Sequence, residues 1–452
     1  MTTVLNTLNQ PDADARIAAL RGLHDTDSAS LTNPPLGEEV NNHVHTIYSF
    51  SPYSPTEVAA AARMSGLPAV GSVDHDSISA ADELHRAARI IGLGATSGFE
   101  LRVSWADTPF ADRRLNSPDA TGASYVVVHG VPRQSRSAAE TVLQPVREAR
   151  RRRNAEQVTR LNQEIARIGL EPLSYAGDVE PLSEAARGGT VTERHILFAL
   201  AKRMVETFGR GPALIRALQD RLELPVSAKQ AEQLSDPDNP HYLYDVLGVM
   251  KAELVPRFYR EPEAEECIPL ERVIRCAHEL GAIMAYPYLG DITESPTGDK
   301  KAARFEDNYI EELFPFLREA GFHAVTYMPP RNSKRQLLRV QELCRRYEMM
   351  EISGVDINSS RQVFTCPEVL EPEFRHLVDA TWALIAHEEL ASRELRYGLF
   401  HPDSPARRHP VRRRIDAYAA IGRSLDLHRP ESFRFDETTL HHYVTESEDT
   451  PV

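Results

Sequence analysis

A repeating unit constrains this chain more than any other feature: a short apolar strand ends in a residue able to bind a metal ion, then passes into a helix. The first instance is Asn42-His43-Val44-His45-Thr46-Ile47-Tyr48-Ser49. Side chains alternate along a strand, so His43 and His45 project on one side and can grip one ion together. Neutral imidazole binds zinc and suits iron and other borderline metals. After a Ser-Pro turn, a helix is expected from Pro55 to about Ser65, with Pro in its first turn and Gly66 closing it. Ala69 to Val73 reads as a buried strand leading into Asp74-His75-Asp76-Ser77, and a helix from Ala80 to about Arg89 follows. Gly98-Phe99-Glu100-Leu101 brings a carboxylate after another apolar segment, and Tyr125 to His129 is an apolar strand ending in histidine. A helix from Leu270 to Leu280, strands from Ala282 to Tyr286 and from His323 to Tyr327, and a helix from Lys334 to Tyr347 continue the pattern up to Asp356. Such alternation marks a parallel sheet or barrel, whose chemistry sits at the C-terminal ends of the strands. Taken singly, His129 reads as a hydrogen-bonded core histidine and Glu100 as a solvated carboxylate. Three strand ends carrying ligand-type residues point instead to a metal site.

At 452 residues the chain has room for two or three average domains, or for one large barrel with additions. A formal charge of −14 argues against a general nucleic-acid binder, which presents a basic face. Cys267, Cys276, Cys344 and Cys366 form no C-x-x-C pair and read as inert thiols of a reducing compartment. There is no apolar run long enough to span a membrane and no signal-like N-terminal stretch, so a cytoplasmic protein with no membrane partner is expected. Nothing in these residues sets an oligomeric state.

Residues 1–36 read as an N-terminal arm, residues 37–366 as the barrel unit, and residues 367–452 as a helical extension and tail. Two helical insertions interrupt the barrel, at about 136–190 and 203–265. The first contains the run Arg147 to Arg153 with five arginines, read as a solvated helix face rather than a phosphate-steering patch. The second carries no recognisable chemistry. In the extension, Phe374 to about Arg396 is expected to form an amphipathic helix packed on the barrel.

The order of these residues resembles the PHP family, the polymerase and histidinol phosphatase superfamily of metal-dependent phosphoesterases. The family's H-x-H-T-x-x-S motif is met at His43, His45, Thr46 and Ser49, and its D-H-D-S strand end at Asp74 to Ser77. Its G-x-E and strand-terminal histidine are similar to Gly98–Glu100 and His129. A later histidine, after an Arg- and Asn-rich helix, is similar to His195 in Thr192-Glu193-Arg194-His195. The closing G-S-D-x-H motif reads Gly354-Val355-Asp356-Ile357-Asn358, so the likeness spans about residues 40 to 365. The chain departs from the pattern at Phe50, where the family has Asp, and at Asn358, where it has His. The A-H-P segment reads Ala285-Tyr286-Pro287, and G-R-P-H has become Thr192 to His195, displacing an arginine expected near phosphate.

What the resemblance implies is an α/β fold, a distorted (β/α)7 TIM-like barrel with helical insertions, a C-terminal helical extension and up to three metals at its mouth. His43, His45, Glu100 and Asp356 would form one site, and Glu100 would bridge to a second held by His129 and His195. A third would use His75 with the positions of Phe50 and Asn358. With those two positions altered, two divalent ions (manganese, zinc or iron) are expected, the third site being weak or absent. The nucleophile would be a metal-bound water of lowered pKa, with Asp74 supporting the ligands from behind. Arg331 and Asn332, in the loop after Tyr327, join Arg194 and Tyr286 as substrate-binding candidates; the planar fork of Arg331 suits phosphate. The expectation is a metal-dependent phosphoric ester hydrolase acting on a small phosphorylated metabolite. The alternatives are a PHP-type nuclease, against which the net charge weighs, and a degenerate barrel that binds metal or ligand without turnover.

Overall fold

The computed structural model describes residues 2–117, 120–291 and 304–446. Seven strands form a nearly closed, barrel-shaped sheet, paired in the order β1 (Val40–Val44), β2 (Ala69–His75), β3 (Gly94–Ser104), β4 (Ala123–His129), β6 (Ile283–Pro287), β7 (Ala324–Tyr327) and β8 (Met350–Ser353). The two-residue β5 (Ile268–Pro269) pairs with the far end of β3. Beyond β8 the gap is bridged where the His45 N–H donates to the Ile357 carbonyl and the Ile357 N–H donates to that of His43.

Local signals set the helix starts and stops. α1 (Pro55–Met64) begins with a reciprocal Ser54–Glu57 capping box and Pro at its first turn, and Gly66 follows it at φ 80°. α2 (Ala81–Ile91) ends on Gly92 in the left-handed region. The remaining main helices are α3 (Arg136–Ala166), α4 (Glu193–Phe208), α5 (Tyr242–Phe258), α6 (Leu270–Glu279), α7 (Ile310–Ala320), α8 (Lys334–Arg346), α9 (His376–Ala391) and α10 (Val411–Ser424).

The expected parallel alternation fails at one strand. β4 runs antiparallel to both β3 and β6, because β3 continues past Glu100 to Ser104 and the chain returns beside it. An apolar run reports that a strand is buried but not which way it points. His129 therefore lies toward the N-terminal ends of the parallel strands, near Gly98. A Cβ at Gly98 would fall 2.2 Å from the Val128 carbonyl oxygen, so only glycine allows β3 and β4 to approach here.

Two cores flank the site. Below it, Val73, Val127, Ile283, Ala285, Ala324, Met350 and Ile352 pack against Ala380, Ala383 and Leu384 of α9. That helix closes the N-terminal mouth of the barrel. Above it, α4, α5 and the second half of α3 form a separate core that Phe50 joins. No described helix is long and apolar enough to cross a membrane.

Candidate metal centre and its cavity

Strand alternation delivers the candidate ligands to one place. β1 leads through His43 to His45, His75 at the end of β2 pairs in register with Glu100 of β3, and Asp356 follows β8. Among the described residues, the donor atoms of His43, His45 and Glu100 all lie within 4.8 Å of one another. Glu100 Oε2 is 3.2 Å from His43 Nε2 and 3.9 Å from His45 Nε2, while Oε1 is 4.0 Å from His75 Nδ1. Asp356 Oδ1 is 3.3 Å from His45 Nε2. Gly354 makes room for this, since a Cβ there would lie 2.5 Å from His43 Cβ.

Burial alone would raise the pKa of Glu100, but the imidazoles of His75, His43 and His45 overturn that and hold it down to about 2. Burial is likewise outweighed at Asp356, which the His45 hydrogen bond and the nearby His43 and Arg194 charges hold well below the usual carboxylate range. At His75 and His129 burial dominates and holds both rings down to about 3. Both are neutral near pH 7, with a lone pair to give. His75 Nδ1 and His129 Nε2 are buried without a hydrogen-bond partner among the described residues, a costly state that coordination would relieve. Two carboxylates with neutral, unpartnered imidazoles beside them fit a divalent transition ion.

The first motif also explains the aim of His45. Ser49 donates its hydroxyl hydrogen to Asp74 Oδ1 at 2.6 Å and so turns a lone pair toward His45 Nδ1, 3.2 Å away. Asp74 is fixed in turn by the Thr46 N–H at 2.6 Å and the Thr46 hydroxyl at 2.7 Å. A ring donating from Nδ1 points Nε2 at Glu100 and Asp356. Burial opposes charging this ring, yet Asp356 and Glu100 prevail and raise its pKa, so proton and cation compete for Nε2. Ser49→Ala is expected to weaken metal binding by about 10- to 100-fold with the fold intact, as read by chelator competition.

The structure does not bring every expected residue to this centre. His195 is the third residue of α4, and its Nδ1 accepts the Thr192 N–H at 3.0 Å. Its ring stands edge-on to Phe50, with centroids 4.9 Å apart. Accepting at Nδ1 puts the ring proton on Nε2, so here His195 caps a helix. His129, opposite Gly98 on the neighbouring strand, lies near enough to Glu100 for that carboxylate to act on its ring, although burial outweighs it. Asn358 donates its amide to Asp356 Oδ1 and so orients that carboxylate. Tyr286 points out of the barrel, fully buried between Trp105 and Phe322, with its hydroxyl donated to Glu306. It is a core residue and not a substrate contact, because alternation along β6 turns Pro287 to the cavity instead. Arg331 and Asn332 both donate to the Leu289 carbonyl, at 3.3 and 2.8 Å, and shape the cavity rim from behind.

A cavity of about 550 Å³ opens beside the ligands, between the barrel mouth and α4 and α5. Arg194, in the first turn of α4, lines it and makes no hydrogen bond or ion pair with a described residue. The arginine run of α3 divides by its spacing. Arg147 donates to the Asp76 carbonyl, Arg150 to the Asp76 carboxylate and Glu193, and Arg153 to Glu193 and Glu266. Arg151 and Arg152 form exposed pairs with Glu180 and Glu265, so the solvated-face expectation holds for these two alone. Lining residues absent from the sequence expectations include Arg102, Lys251 and Tyr259, and Arg150, expected on a solvated face, joins them. Arg102 had a signal: it follows Glu100 by two residues and so shares its face of β3.

No protein-family model and no curated protein matches the sequence. Among solved structures, a candidate metal-dependent phosphoesterase from Bifidobacterium adolescentis superposes with a TM-score of 0.48 at 18% identity, over 75% of this chain and 96% of that one. An amidohydrolase from Chromobacterium violaceum, with sulfate bound and no metal, superposes with a TM-score of 0.45 at 16% identity, over 75% of this chain and 95% of that one. At these values neither likeness bears on what this chain does.

Proposed function

We propose that this chain is a metal-dependent hydrolase of phosphate esters on a PHP-type barrel, acting on a small phosphorylated metabolite. The observation that carries it is the convergence of His43, His45, Glu100 and Asp356 at the mouth of a cavity lined by Arg194, with orphaned imidazole nitrogens beside Glu100. Divalent cations, when bound, supply acidity to water and neutralise charge on phosphoryl oxygens. His43, His45, Glu100 and Asp356 would hold one ion. Glu100, with His75 and His129 from the strands on either side, would hold another. Arg194 receives phosphate oxygens through its fork of donors, and Phe50 and Leu197 make the adjoining wall apolar.

Mass-spectrometric metal analysis of the purified full chain is expected to find two ions after dialysis. Phosphate release from a phosphomonoester panel should stop on chelation and return with Mn²⁺, Zn²⁺ or Fe²⁺. Three retained ions would mean that His195 or Asn358 leaves its hydrogen bond to become a ligand. Turnover that survives complete metal removal would overturn the proposal, and metal bound without any turnover would make this a binding barrel.

A further inference from the structure

We propose that the cavity contains a second anion-binding subsite, built from Arg102, Arg150 and Tyr259, and that the substrate is a phosphate ester bearing a second anionic group, carboxylate or phosphate. This rests on the phosphoesterase reading only for the placement of the first phosphate at the metal centre.

Arg102 lies two residues beyond Glu100 on the same face of β3, about 7 Å further toward the barrel mouth at the usual rise of a strand. It is 4% exposed yet contributes to the cavity wall. Its Nη2 donates to the Tyr125 hydroxyl at 2.8 Å, and the guanidinium sits 5.1 Å from the centre of that ring. Its Nε and Nη1 have no hydrogen-bond partner among the described residues. The Arg150 Nε and the Tyr259 hydroxyl, also in residues of the cavity wall, are buried and unpartnered in the same way. One carboxylate oxygen comes near, Glu266 Oε1, at 3.7 Å from Arg102 Nη1 and 3.9 Å from Arg150 Nε. Both distances are beyond hydrogen-bond reach, and that oxygen already accepts from Arg153 at 2.8 Å. Four donors without acceptors in one wall are expensive to bury, and an oxyanion is the group that can accept from several at once.

Charge points the same way. Setting aside Glu100 and Asp356 as metal ligands, the described lining holds Arg102, Arg114, Arg150, Arg194 and Lys251 against one carboxylate, Glu193. Asp76 and Glu266, behind the wall, offset part of this. In a chain of net charge −14, a cavity wall carrying Arg102, Arg150 and Arg194 is locally suited to an anionic ligand.

The test uses three probes on one carbon skeleton: glycerol 3-phosphate, 3-phosphoglycerate and 2,3-bisphosphoglycerate. Calorimetry on the metal-loaded full chain is expected to show one or both of the latter two binding about 10- to 100-fold more tightly than the first. A gain already present in 3-phosphoglycerate identifies the second group as carboxylate, and a gain confined to 2,3-bisphosphoglycerate, which carries the same carboxylate, identifies it as phosphate. Tyr259→Phe removes only an unpartnered hydroxyl, so it should fold normally and cut this preference several-fold. Arg102→Gln should reduce it to within about threefold, and Arg151→Gln, an exposed control on α3, should leave it unchanged. Equal binding of all three probes by the wild type, or an undiminished preference in both Tyr259→Phe and Arg102→Gln, overturns the subsite. Phosphate release is scored separately: a preference that persists while no probe is hydrolysed keeps the subsite and removes the phosphoesterase reading.

Discussion

Glu100→Ala is expected to lower metal-dependent phosphate release by at least about a thousandfold, while circular dichroism and melting stay close to wild type. Three imidazoles lie within 4.0 Å of this one carboxylate, so no other single residue contributes as much to both proposed ions. Without it, one site keeps His43, His45 and Asp356, while the other keeps only neutral rings and no anion to offset a dication. Metal content should fall from two ions per chain to one or fewer. The fold should survive because Glu100 bonds only to side chains of the site, and the barrel interior below it is closed by apolar packing. An unaffected Glu100→Ala enzyme would exclude the proposed centre.

The largest expected effect on stability lies at the opposite mouth of the barrel. Glu388 of α9 is 2% exposed and accepts hydrogen bonds from the Thr96 hydroxyl, the Ser97 N–H and hydroxyl, Arg136 and His85, all between 2.7 and 3.0 Å. It ties β3, α2 and α3 to the helix that closes the N-terminal mouth. Glu388→Ala would leave the buried Thr96 and Ser97 donors without their acceptor and strip Arg136 of its inner partner, leaving it only the exposed Asp82, and a loss of about 3 kcal/mol in unfolding free energy is expected from denaturant titration at pH 7. Burial by itself would raise the pKa of this carboxyl, but His85, Arg136 and the Ser97 hydrogen bond reverse that and hold it down to about 2. A carboxyl whose folded pKa is depressed stabilises the fold above its unfolded value, about 4.5, and loses that contribution as pH falls from there toward 2. The neighbouring His387 donates to the Gly130 carbonyl and accepts from the Leu399 N–H, and burial holds it down to about 4. Its unfolded form takes up a proton first, so acid destabilisation from this residue begins as pH drops below about 6.5. Melting temperatures at pH 7, 5, 4 and 3 should decline throughout. Glu388→Gln should be less stable at pH 7 but show a flatter decline below pH 4.5. A mutant decline parallel to wild type would show that Glu388 is not the titrating group.

The strands and helices of the barrel were largely legible because each carries its own local signal. Ser54-Pro55 followed by Glu57 marks a helix start, and Gly66 and Gly92 mark helix ends wherever the chain is folded. Candidate ligands at strand ends were legible for a similar reason: a period of two places His43 with His45 on one side, whatever the partner strand. Tyr286 departs from the expectation because register alone does not say which face of β6 meets the cavity. The Arg147–Arg153 run departs from it in part because its two faces meet different surroundings, and only the packed structure supplies those.

By itself, then, the sequence determined the βα units, the groups that project together from one strand, and the absence of a metal donor at Phe50. These follow from backbone geometry and side-chain chemistry within a few residues. Tertiary structure alone decided that β4 runs backward, which carries His129 to the level of Gly98, and that Thr192 claims His195 Nδ1. It also decided that Ser49 links Asp74 to His45, and that α3 and α5 bring Arg150 and Lys251 to the cavity. Each of these depends on a contact between segments far apart in the chain or on a choice between two hydrogen-bond directions. The periodicity of the sequence does not encode either one.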